Sequence, residues 1–269
     1  FRRVLFRSGV RPPSRNATPT PGRAACDTTS PCRLCRRSTA NAPTAPASAA
    51  ACTNQPRQRA RNAQYYAEDS RFTQFLIPPG KRVLELGCGR GDALAALAPA
   101  YGVGVDFSPK AVSEAQRRHP QLHFVLGDVE DQATLAAIQG PFDYIVVADT
   151  IGMFEDIDET FRRIYRLCTP STRIVVAYYS RLWEPILKLG EILGLKSRQP
   201  AVNYIATVDF LNLMDLADFE VISQEQRQLV PRRLLGLGPL INKYVAPLPG
   251  IRQLCLRTYL VARPVIPFP

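Results

Sequence analysis

Residues 83–92, Val-Leu-Glu-Leu-Gly-Cys-Gly-Arg-Gly-Asp, join a short apolar run to three glycines that alternate with other residues. The run fits a buried strand, and the glycines permit the left-handed backbone of a tight turn into a helix. A strand, turn and helix of this kind marks the carboxyl edge of a parallel sheet, which confines the chain to a few α/β folds.

The segments that follow keep an α/β rhythm. A helix over residues 63–75, stopped by Pro78-Pro79-Gly80, precedes strands at 82–86, 103–106, 123–126, 144–148 and 173–178. Helices are expected at 92–97, from the Ser108 cap and Pro109 to residue 118, and at 157–167. Runs such as Tyr144-Ile145-Val146-Val147-Ala148 suit strands covered on both faces. Past Ser180 the spacing predicts an amphipathic helix over 181–196 with Trp183, and a helix over 208–217. Strands are expected at 220–223 and 254–261, with the apolar excursion 232–250 forming a small cap between them.

Charge separates the chain into two parts. Residues 1–62 hold twelve Arg, no Lys and one acid, Asp27, so the formal charge of +11 lies there; residues 63–269 balance 22 basic against 22 acidic residues. The basic pI therefore gives no reason to expect a nucleic-acid partner for the folded part. The tail, rich in Arg, Pro and Ala, is expected to be disordered. Its opening FRRVLFRS resembles a sequencing adapter read as protein, so the tail is expected not to be native coding sequence; an Arg-rich transit peptide is the alternative. One folded domain is expected over residues 63–269.

Cys32 and Cys35 form a C-x-x-C without a second knuckle, and no metal site is expected. Cys88, Cys168 and Cys255 read as reduced core thiols of a cytoplasmic protein. No apolar run reaches the roughly 20 residues of a membrane-spanning helix.

The chemistry concentrates at three strand ends. Glu85-x-Gly87-x-Gly89-x-Gly91 closes the first strand, and its strict alternation departs from the G-x-G-x-x-G of dinucleotide sites. Asp106 ends the second strand, where a carboxylate accepts hydrogen bonds from ribose hydroxyls. Gly127-Asp128-Val129 follows the third, offering an acceptor for an exocyclic amino group and an apolar neighbour for a ring.

Together these residues resemble the class I S-adenosylmethionine-dependent methyltransferases, over about residues 64–264. The resemblance implies a Rossmann-like three-layer α/β sandwich, with a seven-stranded, mostly parallel sheet of order 3-2-1-4-5-7-6 and an antiparallel last strand. It also implies S-adenosyl-L-methionine as cofactor. By the same resemblance Gly87, Gly89 and Gly91 lie against the methionine part, Glu85 orders the turn, and Asp106 holds the ribose. Phe107 flanks the adenine, and Asp128 with Val129 reads its edge and face.

Ala148-Asp149-Thr150-Ile151 stands where members that methylate amino groups of bases or glutamine carry an Asn/Asp-Pro-Pro-Tyr run, which argues against that subgroup. Asp149 is the candidate to orient or deprotonate an acceptor and Tyr178 or Tyr179 to hydrogen-bond or stack on it, the alternative being that Asp149 caps a turn and one tyrosine packs in the core; His119 and His123 read as structural or solvent-facing. The elements at 181–196 and 232–250 are expected to form an apolar lid over a small-molecule or lipid-like acceptor rather than a nucleic acid. Packing on the sheet as ordinary core is the alternative, and peripheral membrane contact stays open. Similar domains sometimes precede a glycosyltransferase domain, so a further C-terminal domain in the natural protein stays open. A noncatalytic S-adenosylmethionine-binding module and a nicotinamide-dependent oxidoreductase are the rival functions, the latter disfavoured by the glycine spacing and Asp128.

Overall fold

The computed structural model describes residues 63–192, 205–230 and 237–265. The expectations for residues 1–62, for the end of the 181–196 helix and for the start of the 232–250 excursion fall outside the described residues.

Along the chain the elements are α1 (Ala63–Leu76), β1 (Arg82–Leu86), α2 (Asp92–Ala96), β2 (Tyr101–Asp106), α3 (Pro109–Arg118), β3 (His123–Leu126) and α4 (Gln132–Ala136). Then come β4 (Tyr144–Ala148), α5 (Ile157–Ile164), β5 (Arg173–Tyr179), α6 (Glu184–Ile192), α7 (Thr207–Leu216), β6 (Phe219–Arg227), α8 (Leu237–Tyr244) and β7 (Arg257–Pro264). The strands form one seven-stranded sheet of order β3-β2-β1-β4-β5-β7-β6. The five strands β1 to β5 pair in parallel, and β7 runs antiparallel to both β5 and β6.

Both faces of the parallel part are buried, as the continuous apolar runs require. Leu84, Val105, Ile145, Val147 and Ile174 face a core completed by Phe161, Ile164 and Phe210 of α5 and α7. Val83, Val146 and Val175 face the opposite way, against Leu94 of α2 and Val112 and Ala115 of α3. This alternation puts Glu85 on the same face as Val83, and Asp106 on the face opposite Val105. Ser108 caps α3, its hydroxyl accepting from the Ala111 N–H at 3.4 Å, with Pro109 at the first helical position.

Four strands differ in their bounds from the sequence reading: β2 starts earlier, at Tyr101, β5 runs on to Tyr179, and β6 and β7 differ most. Residues 252–254 wind one 3-10 turn, so β7 begins at Arg257, where partners on β5 and β6 become available. β6 runs on to Arg227 through polar residues, because pairing with β7 holds it although its edge has no apolar pattern. No helix of the described residues is long and apolar enough to cross a membrane.

Candidate active site

The glycine turn occupies the carboxyl end of β1. Gly87, Gly89 and Gly91 have φ of 78°, 53° and 71°, the left-handed region that side chains avoid. The turn is tied to β2, the Gly87 and Cys88 N–H groups donating to the Val105 carbonyl at 2.8 and 2.9 Å. Packing closes two of the three glycines from outside. A Cβ on Gly87 would lie 1.9 Å from Thr150 Cγ2, and one on Gly91 would lie 2.5 Å from Phe124 Cζ. Gly89 differs, since a Cβ there would meet nothing within 4 Å. The middle of the turn therefore presents bare backbone to open space, the cradle that a closely approaching ligand requires. Thr150, which the sequence reading passed over, is the latch: its hydroxyl donates to the Leu86 carbonyl at 2.9 Å.

Asp106 is buried beside this cradle. One carboxylate oxygen accepts from the Gly89 N–H at 2.8 Å and the other from the Ser108 N–H at 2.9 Å. Burial raises its pKa above the ordinary aspartate value, and the two backbone donors offset part of that rise. A carboxylate has about four lone-pair sites, so two such bonds leave acceptor capacity for a ligand. Phe107 is half exposed, and Asp128 is exposed with one oxygen accepting from the Glu130 N–H at 2.9 Å. Val129 is half-buried and packs partly on the core. Glu85, buried at the start of the turn, lines the same sheet face.

The loop after β4 builds the second half of the site. Asp149 has φ 62° and pairs with the guanidinium of Arg257, which is fully buried and also binds Asp69 of α1 at 3.0 Å. The Tyr259 hydroxyl donates to the same Asp69 oxygen. Tyr65 and Tyr179 stack at 6.2 Å with their hydroxyls 3.2 Å apart, and the Arg257 guanidinium lies 5.2 Å from the Tyr179 ring centre. Burial works against the Arg257 charge, yet the Asp149 and Asp69 carboxylates outweigh it and hold the group protonated. Burial, reinforced by the Asp149 carboxylate, pushes the Tyr179 phenol up, so it stays a neutral hydroxyl. Among the described residues two carboxylates share this one guanidinium, and the Asp149 side chain is 37% exposed.

Asp149 and Tyr179 thus meet in one cluster, and Tyr178 does not join them. Adjacent strand residues face opposite ways, and the Tyr178 hydroxyl donates to Thr207 Oγ1 at 3.1 Å on the other side of the sheet. Arg257, Asp69, Tyr65 and Tyr259 were missed from sequence. The available signal was Arg257 beside the apolar run Tyr259 to Ala262, since an Arg buried there must find a carboxylate. His119 supports the turn from behind, its Nε2 lying 3.1 Å from an Asp92 carboxylate oxygen.

A sheet of this order, with a glycine cradle ending β1 and a carboxylate ending β2, defines an S-adenosylmethionine-dependent methyltransferase of class I. A family model described as a methyltransferase domain matches residues 58–224, and the chain belongs to that family. It is 32% identical over 170 residues to an uncharacterized methyltransferase of Synechocystis, covering 57% of this chain and 76% of that protein. It is 36% identical over 111 residues to the demethylmenaquinone methyltransferase of Beutenbergia cavernae, an alignment spanning 40% of this chain and 45% of that enzyme. In fold it is similar to an S-adenosylmethionine-dependent methyltransferase of Thermotoga maritima, with TM-score 0.60 and 18% identity over 79% of this chain and 95% of that one. Its cofactor is S-adenosyl-L-methionine, and the open Gly89 backbone beside Asp106 fits that ligand.

Proposed function

We propose that the chain transfers a methyl group from S-adenosylmethionine to a small-molecule or lipid-like acceptor. The observation that carries this reading is the adjacency of the two half-sites: Thr150, next to Asp149, packs against Gly87 of the cofactor cradle. When bound, the cofactor supplies a methyl group on a sulfonium leaving group. Gly87, Gly89 and Gly91 admit its methionine part, with Glu85 ordering the turn. Asp106 accepts from the ribose hydroxyls, Phe107 flanks the adenine, and Asp128 with Val129 reads the adenine edge and face. Asp149, fixed by Arg257, accepts a hydrogen bond from the acceptor's hydroxyl or amine, and the Tyr179 hydroxyl helps position it. Fixing the acceptor in line is the main contribution asked of the protein, and such positioning supplies on the order of 7–11 kcal/mol. A cytoplasmic address suits three cysteines that carry no disulfide, Cys88, Cys168 and Cys255.

Asp106→Ala removes the proposed ribose acceptor along with the Gly89 and Ser108 bonds. Two charge-assisted bonds at about 1.5 kcal/mol or more each predict a loss of affinity of about a hundredfold by calorimetry. Acidification acts on the same group. Since the folded pKa is raised, Asp106 favours folding at low pH, and that contribution is lost as pH rises between the unfolded and folded values. Cofactor affinity runs the other way, falling on acidification while the pH is still above the ordinary aspartate range; Asp106→Asn should flatten that fall.

The reading is tested by incubating the full chain with methyl-labelled S-adenosylmethionine and a panel of phenols, amines, quinols, lipids, RNA and protein. Label on a small molecule or lipid is the expected result. Transfer to RNA or protein alone overturns the acceptor class, and stoichiometric cofactor binding with no transfer to any member points to a binding module.

A further inference from the structure

A cleft of about 770 Å³ lies between α1, the end of β6 and α8 with the turn behind it, within the size range of small-molecule sites. Phe72 and Tyr259 are its buried apolar walls, and Phe75 stands 79% exposed. Around them, among the described residues, are four cations, Arg71, Arg227, Lys243 and Arg252, against two acids, Glu68 and Glu225. The acids are engaged: Glu225 pairs with Arg227 at 3.8 Å, and Glu68 accepts from Asn242 at 3.0 Å. Arg71, Lys243 and Arg252 have no ion pair among the described residues. Residues 63–269 carry no net formal charge, so this excess of two positive charges is a local concentration.

Gln228 supplies an independent mark. It follows β6 at the cleft wall, is buried, and holds φ 64°, a conformation a non-glycine residue adopts at a cost. Its Nε2 donates to the Tyr65 carbonyl at 3.0 Å, while its Oε1 is buried without a hydrogen-bond partner among the described residues. A chain of side-chain contacts also links the cleft wall to the site. Its wall residue Tyr259 bonds Asp69, Asp69 pairs with Arg257, and Arg257 pairs with Asp149.

We infer that this cleft binds an amphipathic anion, an apolar or aromatic body bearing a phosphate or carboxylate, and so seats the part of the acceptor remote from the methylated atom. The acceptor role rests on the methyl-transfer reading; the binding itself does not. The apolar walls shed water from the body, and the three unpaired cations meet the anion at the rim.

Trp183, the sole tryptophan, is a built-in reporter, since its Nε1 donates to the Leu254 carbonyl at 2.7 Å, two residues from Arg252. Titrating the full chain with dodecyl phosphate below its micelle concentration should change Trp183 emission saturably with one-to-one stoichiometry, and dodecyltrimethylammonium should not compete. Lys243→Glu with Arg252→Glu reverses two exposed charges and should weaken the phosphate by about tenfold or more. An equal response to the ammonium compound, or an unchanged affinity in the double variant, overturns the inference. Phosphatidylglycerol vesicles separate the sources: co-sedimentation lost in the double variant assigns a lipid headgroup, and dodecyl phosphate binding without co-sedimentation assigns a soluble amphiphile. A parallel S-adenosylmethionine titration keeps the two readings apart. Dodecyl phosphate binding without cofactor binding defeats methyl transfer and leaves the cleft site standing, whereas the reverse defeats only the cleft. With an acceptor in hand, the double variant should raise KM and spare kcat; an unchanged KM overturns the acceptor role.

Discussion

Replacing Arg257 with Met is expected to lower the unfolding free energy by about 3 kcal/mol, the low end of the range for breaking a buried ion pair. The low end applies because Asp149 keeps some contact with water, while Arg257 itself has none. Without the guanidinium, Asp69 and Asp149 lose the cation they share beside Tyr65 and Tyr179. For a domain of this size the loss corresponds to a fall of about 6–12 °C in Tm, readable by calorimetry or by denaturant titration. Adding Asp69→Asn and Asp149→Asn to the same variant should return much of that stability by removing the stranded charges. Tyr259→Phe, which deletes only the hydroxyl bonded to Asp69, should cost about 1 kcal/mol. A loss for Arg257→Met no greater than that of Tyr259→Phe would mean the cluster is not held by its ion pairs.

The second large effect is expected at Gly87. Gly87→Ala places a Cβ at φ 78° and 1.9 Å from Thr150 Cγ2, so the turn or the Thr150 latch must move. The backbone conformation alone costs roughly 1–2 kcal/mol, and the displaced latch adds to it. Because Gly87 and Thr150 join the two half-sites, S-adenosylmethionine affinity should fall by about tenfold or more. Gly80→Ala is the control: its φ of 77° carries the same backbone cost, but a Cβ there meets nothing within 4 Å. It should lower stability by about 1 kcal/mol and leave cofactor binding alone. Thr150→Ser removes the atom nearest the new methyl, so Gly87→Ala with Thr150→Ser should recover part of the lost affinity.

The residues proposed to hold the cofactor stood out in the sequence because they lie close together in it. Glu85 through Gly91 are consecutive, Asp106 ends the neighbouring strand, and Ser108-Pro109 marks the next helix by its own chemistry. The strands β1, β3 and β4 were bounded correctly for the same reason, since apolar runs between turn residues carry their own limits. The cluster around Asp149 was mostly illegible, because it is assembled from distant chain. Arg257 and Asp69 are 188 positions apart, and no periodicity links them. Tyr178 and Tyr179 could not be separated until the sheet assigned their faces. The short helix α4 was passed over because five residues show less than two turns of any pattern, although Asp131 caps it by accepting from Ala133 and Thr134. β6 gave too little apolar alternation past Ser223, where pairing with β7 rather than burial defines the strand.

Calorimetric titration of S-adenosylmethionine onto the full chain, with NAD as comparator and Gly87→Ala alongside, tests the central claim most directly. One equivalent of S-adenosylmethionine should bind, NAD should not, and Gly87→Ala should weaken the former by about tenfold or more. Binding of NAD in its place, or S-adenosylmethionine binding indifferent to Gly87, would contradict the assignment of the glycine turn as the cofactor cradle.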